Sequence, residues 1–207
     1  MFITFEGLDG SGKSTQIRRL VARLRALGRE VVETAEPGGT PIGRQIRAIL
    51  LSARNRELRP AAELFLYLAA RAQSTAETIA PALARGEIVL SDRFTDSTLA
   101  YQGCGRGLGA AEVQALARVS TGGLEPRLTL LLDIDVATSL ARARGRNRDQ
   151  ASTETRMDEQ SAEFYQRVRD AYLALARAQP ERIRVIDALP DSETVERRVW
   201  EAVEPHV

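Results

Sequence analysis

The 207-residue sequence has little of several features that would indicate other classes of protein. Cys104 is its only cysteine, so an internal disulfide and a cysteine-based metal cluster are excluded, and a reducing cytoplasm is favoured. His206 is the only histidine and lies at the tail, so we expect no catalytic histidine. No apolar run approaches the roughly 18 residues of a membrane span. The first residues also lack the basic region and cleavage site of a signal peptide, so we expect neither export nor a membrane partner.

An excess of charge of one sign is missing as well. The chain has 29 Lys and Arg against 28 Asp and Glu, whereas domains that coat nucleic acid usually carry a basic excess. We therefore expect no nucleic-acid partner. No stretch rich in Pro, Gly or Ser is long enough to separate two domains, and the length suits a single α/β domain over residues 1–207.

Short apolar runs alternate with longer helical patterns along the chain. We predict five strands, at residues 2–5, 30–34, 88–91, 128–133 and 182–186. We predict helices near residues 13–28, 40–52, 60–84, 109–119, 135–144, 158–178 and 191–203. Gly28 and Gly86 stand where two of these helices should stop. The alternation predicts an α/β fold, a five-stranded parallel sheet with helices on both faces.

One predicted helix differs from the others because residues 61–84 are apolar on nearly all sides. A helix on the protein surface would have a polar face. We expect this helix to be buried against the sheet and against a second copy of the chain, which predicts a homodimer.

The glycine-rich stretch Gly7-Leu-Asp-Gly-Ser-Gly-Lys13-Ser14 matches G-x-x-x-x-G-K-[ST] between a strand and a helix. Successive backbone N–H groups must curl around phosphate oxygens, and a Cβ would block that approach. The helix starting near Lys13 adds its positive dipole end. The pattern predicts a phosphate-binding loop for ATP, in which Lys13 reaches the outer phosphates and the Ser14 hydroxyl ligands Mg²⁺. The nucleotide-binding set is Gly7, Leu8, Asp9, Gly10, Ser11, Gly12, Lys13, Ser14 and Thr15.

Two further segments follow predicted strands. Glu36-Pro-Gly-Gly-Thr40 leads into a helix with Arg44 and Arg47, and Asp92-Arg93 follows the third strand. Because the carboxyl ends of parallel strands gather at one edge of a sheet, these segments should meet the phosphate loop there. Two arginines at one point indicate a second anion beside the ATP phosphates. The guanine-reading Asn-Lys-x-Asp is missing, so a GTPase is not expected.

With these residues the chain strongly resembles the bacterial thymidylate kinase family, which phosphorylates dTMP to dTDP with ATP and Mg²⁺ in dTTP synthesis. The resemblance covers the whole chain. It rests on FEGLDGSGKSTQ, EPGGT, ELFLYLAARAQ, DRFTDSTLAYQG, LLLDID and the arginine-rich stretch from Arg142 to Arg156. It implies an acceptor-binding region near residues 35–105 and a mobile lid near residues 142–158. Two alternatives stay open, another nucleoside or nucleotide kinase and a P-loop switch ATPase that regulates a partner protein.

The resemblance also implies roles for single residues on the acceptor side. Asp9 holds the sugar 3′-hydroxyl, and Arg93 and Arg47 grip the acceptor phosphate beside Glu36. Tyr67 stacks on thymine while Arg71, four residues on, bonds a base carbonyl. The remaining implied contacts are Ser97, Thr98 and Gln102 around the base, Tyr101 against a ribose 2′-hydroxyl, and Asp92 at Mg²⁺ through water.

Two departures from the family pattern affect these expectations. Many relatives have Arg just before EPGGT where this chain has Ala35, so Arg44 is a candidate substitute. Some relatives also place a catalytic Arg in the phosphate loop at the position of Gly10. We therefore expect the lid to supply that charge. Its arginines are Arg142, Arg144, Arg146, Arg148 and Arg156, with Arg144, Arg146 and Arg148 as catalytic candidates and Arg142 stacking on adenine.

Overall fold

The computed structural model describes residues 1–150 and 154–207, apart from the side chains of residues 146–150. Its centre is a five-stranded sheet in the order β2-β3-β1-β4-β5, and every neighbouring pair is parallel. The strands are β1 Phe2–Glu6, β2 Val31–Ala35, β3 Ile88–Asp92, β4 Leu128–Asp133 and β5 Ile183–Asp187. Each lies within one residue of its predicted position, which confirms the predicted α/β class.

Helices cover both faces of this sheet. The α-helices are α1 Lys13–Ala26, α2 Pro41–Leu51, α3 Pro60–Ser74, α4 Ala80–Ala84, α5 Thr95–Thr98, α6 Ala110–Ser120, α7 Val136–Gln150, α8 Ala162–Ala178 and α9 Ser192–Val203. Residues of α1 and α9 pack with the sheet in one apolar cluster, and residues of α8 pack against it in another. Strand β4 is buried along most of its length because it has helices on both sides.

The helix predicted over residues 158–178 begins later, at Ala162. The hydroxyl of Ser161 accepts a hydrogen bond from the N–H of Phe164 and so caps the first turn. The helix predicted at residues 135–144 runs further, to Gln150, and so continues through Gly145, where a stop was expected.

The helical segment Thr95–Gly105 was missed by the prediction. Helix α5 continues into a π-helical stretch, Leu99–Gly105, which packs against α6 and α8. Two glycines and two threonines lower the helix propensity of this segment, so its packing rather than its propensity stabilises it. A Cβ on Gly105 would lie 2.8 Å from the Phe164 ring, which shows how closely α8 approaches.

Within a single copy of the chain, the helix predicted over residues 61–84 is buried on one side and exposed on the other. Leu64 and Leu68 are buried in a cluster with residues of α6, and α3 packs mainly against α2. On the opposite side Phe65 is 58% exposed, and Ala69 and Ala72 are exposed as well. The helix is also interrupted by a π-helical turn, Thr75–Ile79, just before Pro81, which has no N–H for a regular helical bond.

Within the part of the chain that the structure describes, no helix combines the length and the apolar character needed to cross a membrane.

Candidate active site

The predicted site segments meet at the carboxyl edge of the sheet. Strand β1 lies between β3 and β4, so the loop after Glu6 is flanked by the end of β3 at Asp92. The backbone N–H of Glu36, just after β2, donates to the carbonyl of Asp92. The three strand ends therefore bring the phosphate loop, EPGGT and Asp92-Arg93 together, as expected.

A first cavity, here called the loop cavity, opens over the phosphate loop. Its lining includes Asp9, Gly10, Gly12, Lys13, Ser14 and Thr15. The other three members of the predicted set lie beneath it: Leu8 is buried in the α8 cluster, Ser11 is buried, and the Gly7 carbonyl faces Lys13. Arg18, which was not predicted, also lines this cavity.

Glycine is required in the loop at Gly7 and Gly10. Their φ angles are +130° and +77°, a region that side chains disfavour. A Cβ on Gly7 would lie 2.3 Å from the carbonyl oxygen of Leu132, and one on Gly10 would lie 2.8 Å from Cβ of Arg142. The Gly10 position is therefore closed to the loop arginine of some relatives, because α7 occupies that space.

Lys13 begins α1 and is buried under the loop. Its Nζ donates to the carbonyls of Leu8 at 2.9 Å and Gly7 at 3.1 Å. Burial, and then the nearby charge of Arg93, lower the pKa of Lys13 to about 8. The ammonium is thus held inside the loop, in a place where an anion would stabilise its charged form.

Ser14 and Asp92 stand together at the mouth of the loop cavity. The hydroxyl of Ser14 donates to Asp92 Oδ2 at 2.9 Å. Within residues 1–150 and 154–207, no group of three or more His, Cys, Asp or Glu side chains is arranged to hold a metal ion. A hydroxyl and a carboxylate are oxygen donors, which suit Mg²⁺ when substrate phosphates complete its coordination. The residues present therefore fit the expected metal.

A second cavity, here called the Tyr67 cavity, adjoins the first. All ten residues predicted on the acceptor side line it: Asp9, Glu36, Arg47, Tyr67, Arg71, Arg93, Ser97, Thr98, Tyr101 and Gln102. The two cavities share Asp9, Glu36, Arg47, Arg93 and Glu154. A ligand in the second cavity can therefore reach one in the first.

Arg93 is held at the junction of the two cavities by contacts on both terminal nitrogens. Its Nη1 donates to the Gly7 carbonyl at 3.0 Å and to the Ser97 hydroxyl at 3.1 Å. Its Nη2 donates to Asp9 Oδ1 at 2.9 Å and to the Tyr101 hydroxyl at 3.3 Å. The guanidinium is thereby oriented before any anion binds, which lowers the entropic cost of binding one.

Arg71 is fully buried at the end of the Tyr67 cavity. Its Nε donates to Glu36 Oε2 at 2.6 Å, Nη1 to the Thr98 hydroxyl at 2.7 Å and Nη2 to the Phe94 carbonyl at 2.8 Å. Burial raises the pKa of Glu36, and Arg71 opposes that rise. The pair orients both side chains, and Arg71 keeps two of its five N–H donors for other partners.

The two aromatic side chains of the Tyr67 cavity differ in exposure. Tyr67 is half-buried and lines the cavity wall, and burial raises the pKa of its phenol to about 12. Tyr101 is buried, and its ring makes edge contacts with Tyr165 and Tyr172. The Tyr67 ring is therefore available for stacking on a ligand, whereas the Tyr101 ring is held by its neighbours and forms part of the cavity wall.

Arg47 points into both cavities, whereas Arg44 is exposed on α2. The guanidinium of Arg47 donates to the Glu154 carboxylate from two nitrogens, at 3.0 Å from Nε and 2.7 Å from Nη2, and to the Pro37 carbonyl. The suggestion that Arg44 replaces the arginine missing at Ala35 is therefore not supported by its position.

Several lining residues were missed by the sequence reasoning. These are Pro37, Leu51, Glu154, Met157 and Asp158. Behind them Glu63 is completely buried and accepts hydrogen bonds from Gln102, Arg106 and Arg156. These residues belong to no sequence motif that could have indicated them. A glutamate in the apolar run of α3 does indicate a buried partner, because a buried charge is costly unless it is paired.

The arginines after β4 have different surroundings. Arg142 reaches the carbonyls of Ala188 and Leu189, and Arg144 is exposed. The side chains of Arg146 and Arg148 lie outside the described residues. Arg156 differs from the other arginines of this stretch, because it is buried and paired with Glu63 at 2.7 Å, where it supports the cavity wall.

The chain is similar to known proteins over nearly its whole length. Residues 5–199 match the family model described as thymidylate kinase. The chain is 53% identical over 205 residues to a thymidylate kinase of Solidesulfovibrio magneticus, covering 98% of both chains, and 51% identical over 209 residues to one of Desulfovibrio desulfuricans, covering 100% of this chain and 96% of the other.

Among solved structures, the thymidylate kinase of Ehrlichia chaffeensis superposes with a TM-score of 0.79 at 33% identity, covering 99% of this chain and 98% of that one. Because sequence, fold and family model agree over nearly the full length, the chain belongs to the thymidylate kinase family.

Proposed function

We propose that this protein transfers the γ-phosphoryl group of ATP to the phosphate of dTMP, giving dTDP and ADP. The observation that carries the proposal is the pair of joined cavities, one over the phosphate loop and one beside Tyr67 and Arg71, with Arg93 at their junction. This arrangement suits two phosphorylated ligands placed end to end. Neither another kinase activity nor a switch ATPase is supported by the comparisons.

The phosphate of dTMP is already an anionic nucleophile, so the reaction needs positioning and charge neutralisation rather than a covalent intermediate. Lys13 and the loop N–H groups bind the outer phosphates of ATP. Arg93, oriented by Asp9 and Tyr101, binds the acceptor phosphate, and Arg47 approaches it when the contact with Glu154 opens. Holding both anions in line supplies much of the rate enhancement.

Mg²⁺ is the proposed metal, held by Ser14 directly and by Asp92 through water. Bound there, it would neutralise charge on the ATP phosphates. Ser14 and Asp92 are already hydrogen-bonded to each other, so the two oxygen donors are kept close without a metal-binding cage of carboxylates.

The Tyr67 cavity is proposed to bind the nucleoside. Tyr67 supplies the stacking face, and Arg71 donates one of its remaining N–H groups to a thymine carbonyl. Thr98 and Gln102 border the base, whereas the Ser97 hydroxyl faces Arg93 and a buried carboxylate and so acts behind the phosphate. Asp9 is placed to hold the sugar 3′-hydroxyl.

The single domain with an acceptor region near 35–105 and a lid near 142–158 remains part of the proposal. Arg144, Arg146 and Arg148 are the candidates for the transition-state charge, and Arg142 for the adenine contact.

A homodimer through the 61–84 helix is proposed because Phe65, Ala69 and Ala72 form an exposed apolar face. The cytoplasm is the proposed location, because a chain with Cys104 as its only cysteine fits a reducing compartment.

A coupled assay of ADP release tests the proposal. With ATP and Mg²⁺ present, a panel of nucleoside monophosphates is added one at a time, and dTMP should give the highest kcat/KM. Equal ADP release with no acceptor would instead indicate the switch ATPase, and preference for another monophosphate would indicate a different kinase.

A further inference from the structure

A buried carboxylate without a part in the proposed reaction lies beneath Arg93. Glu6 is the last residue of β1 and is 0% exposed. Its Oε2 accepts hydrogen bonds from the hydroxyls of Ser97 at 2.5 Å and Tyr172 at 2.8 Å. Its Oε1 accepts the backbone N–H of Phe94 at 2.8 Å. The carboxylate is therefore surrounded by donors from two distant segments of the chain, residues 94–97 and helix α8.

The same two hydroxyls also contact Arg93. Its Nη1 donates to Ser97 Oγ at 3.1 Å and to the Tyr172 hydroxyl at 3.2 Å. An ionised carboxylate can only accept hydrogen bonds, so both hydroxyls give their protons to Glu6 and turn their lone pairs toward the guanidinium. The two routes from Arg93 Nη1 through a hydroxyl to Glu6 Oε2 thus run in one direction, and the two hydroxyl oxygens lie 2.8 Å apart.

The backbone of Arg93 depends on Glu6 as well. Among the described residues Arg93 is the only one other than glycine with a positive φ, at +73°. A residue in that region carries strain, which persists only where surrounding contacts hold it. The bond from the Phe94 N–H to Glu6 holds the chain directly after this strained position.

The ionised form of Glu6 does not stabilise the fold. Burial, and then the charge of Asp96, raise the pKa of Glu6 to about 7, while Arg93 and the hydroxyls of Ser97 and Tyr172 lower it only in part. An acid whose pKa is raised on folding makes the folded state less stable as pH rises above the ordinary value. Lys13 and Arg182 also face this carboxylate. A charge that lowers stability and remains buried beside a site arginine calls for a functional explanation.

We propose that Glu6 is a positioning residue for phosphoryl transfer, whose carboxylate directs the Ser97 and Tyr172 hydroxyls and through them holds the Arg93 guanidinium for the acceptor phosphate. This inference rests on the proposed function, because it takes Arg93 to bind that phosphate.

The test compares Glu6→Gln with the native enzyme at pH 8. The amide has nearly the same shape, but its NH₂ is a donor that competes with Arg93 for the hydroxyl lone pairs. We expect kcat/KM for dTMP to fall by about 10- to 100-fold, in the range for lost outer positioning partners. The KM for ATP should stay within about twofold, because the loop residues are unchanged and the charge of Glu6 acts on Lys13 less strongly than those of Arg93, Asp92 and Asp9. The melting temperature should be unchanged or higher, since a destabilising charge has been removed.

A pH profile separates positioning from a merely structural role. As pH falls from 8 to 6, native Glu6 takes up a proton and comes to resemble the amide. The ratio of kcat/KM for dTMP in the native enzyme to that in Glu6→Gln should therefore decrease. The phosphate of dTMP titrates equally in both reactions and cancels in the ratio. A ratio independent of pH would overturn the proposal.

Two further variants complete the design. Asp96→Asn changes another buried carboxylate, whose partners Arg182 and Thr129 lie on a different side, so it should lower the melting temperature and keep kcat/KM for dTMP within a few-fold.

Combining Glu6→Gln with Tyr172→Phe should lower kcat/KM for dTMP by less than the two separate effects together, because one misdirected hydroxyl is gone. Additive effects, or an unchanged kcat/KM for dTMP in Glu6→Gln, would refute positioning; a native enzyme inactive with dTMP would refute the proposed function instead.

Discussion

The loop cavity and the Tyr67 cavity share five residues but are built in different ways. The phosphate loop at the base of the first depends on backbone conformation, with positive φ angles at Gly7, Gly10 and Gly12, and its one lysine, Lys13, donates to the loop's own carbonyls. The second is formed by side chains that hold one another, such as Arg71 with Glu36 and Arg93 with Asp9. The difference teaches that general phosphate binding needs only a contiguous motif, whereas recognition of one nucleotide needs partners from distant segments.

The largest effect should come from the one cation of the loop. Lys13→Ala should lower kcat by at least about 100-fold, since it removes a charge aimed at the transferring phosphoryl group. Turnover at saturating ATP and dTMP is the measurement, and a thermal melt checks that the variant is folded. Near-normal turnover in a folded Lys13→Ala protein would contradict the assignment of the loop.

A second change should damage the Tyr67 cavity alone. Arg71→Ala should weaken dTMP binding by roughly 1–3 kcal/mol while sparing ATP, because a buried base carbonyl loses its donor. Calorimetric titration with each nucleotide measures this. Since the change also leaves Glu36 buried and unpaired, the matched variant is Arg71→Gln combined with Glu36→Gln. Equal losses for both nucleotides in this pair would mean that the cavities are not separable.

A third prediction uses the pKa of Lys13. Its pKa of about 8 lies below the ordinary 10.5, so the ligand-free protein loses this positive charge as pH rises through 8. ATP binding, which requires the charged form, should weaken about 10-fold between pH 7 and pH 9. Lys13 is the only lysine in the chain, so its titration can be followed as a single labelled resonance by NMR. ATP affinity that stays constant over this range would contradict the prediction.

The smallest effect concerns the sugar. Tyr101→Ala should narrow the preference for the deoxy over the ribo form of the acceptor by a few-fold to about 10-fold, because bulk beside the sugar is lost. The ratio of the two kcat/KM values measures this. Tyr101→Phe keeps the ring and loses only the contact with Arg93, so it should retain the preference. An unchanged ratio in Tyr101→Ala would place the discrimination elsewhere.

Much of the fold was predictable because its signals are local. The apolar strands and the stops at Gly28 and Gly86 each depend on neighbouring residues, and the strands were correct to within one residue. The segment Thr95–Gly105 was not, because it is held as a helix by α6 and α8 rather than by its own propensity. The burial of Arg156 was not predictable for a similar reason, since its partner Glu63 lies 93 residues away.

By itself, the sequence determined the parallel sheet, the phosphate loop and which side chains lie at the strand ends, because hydrophobic periodicity and glycine spacing act over a few residues. Only the tertiary structure decided how those side chains are oriented. Glu36 is bonded to Arg71 and Glu154 to Arg47, and Glu6 is linked to Arg93 through the Ser97 and Tyr172 hydroxyls. Such pairs form only after the chain has folded, since burial makes an unpaired charge costly and so selects the partners.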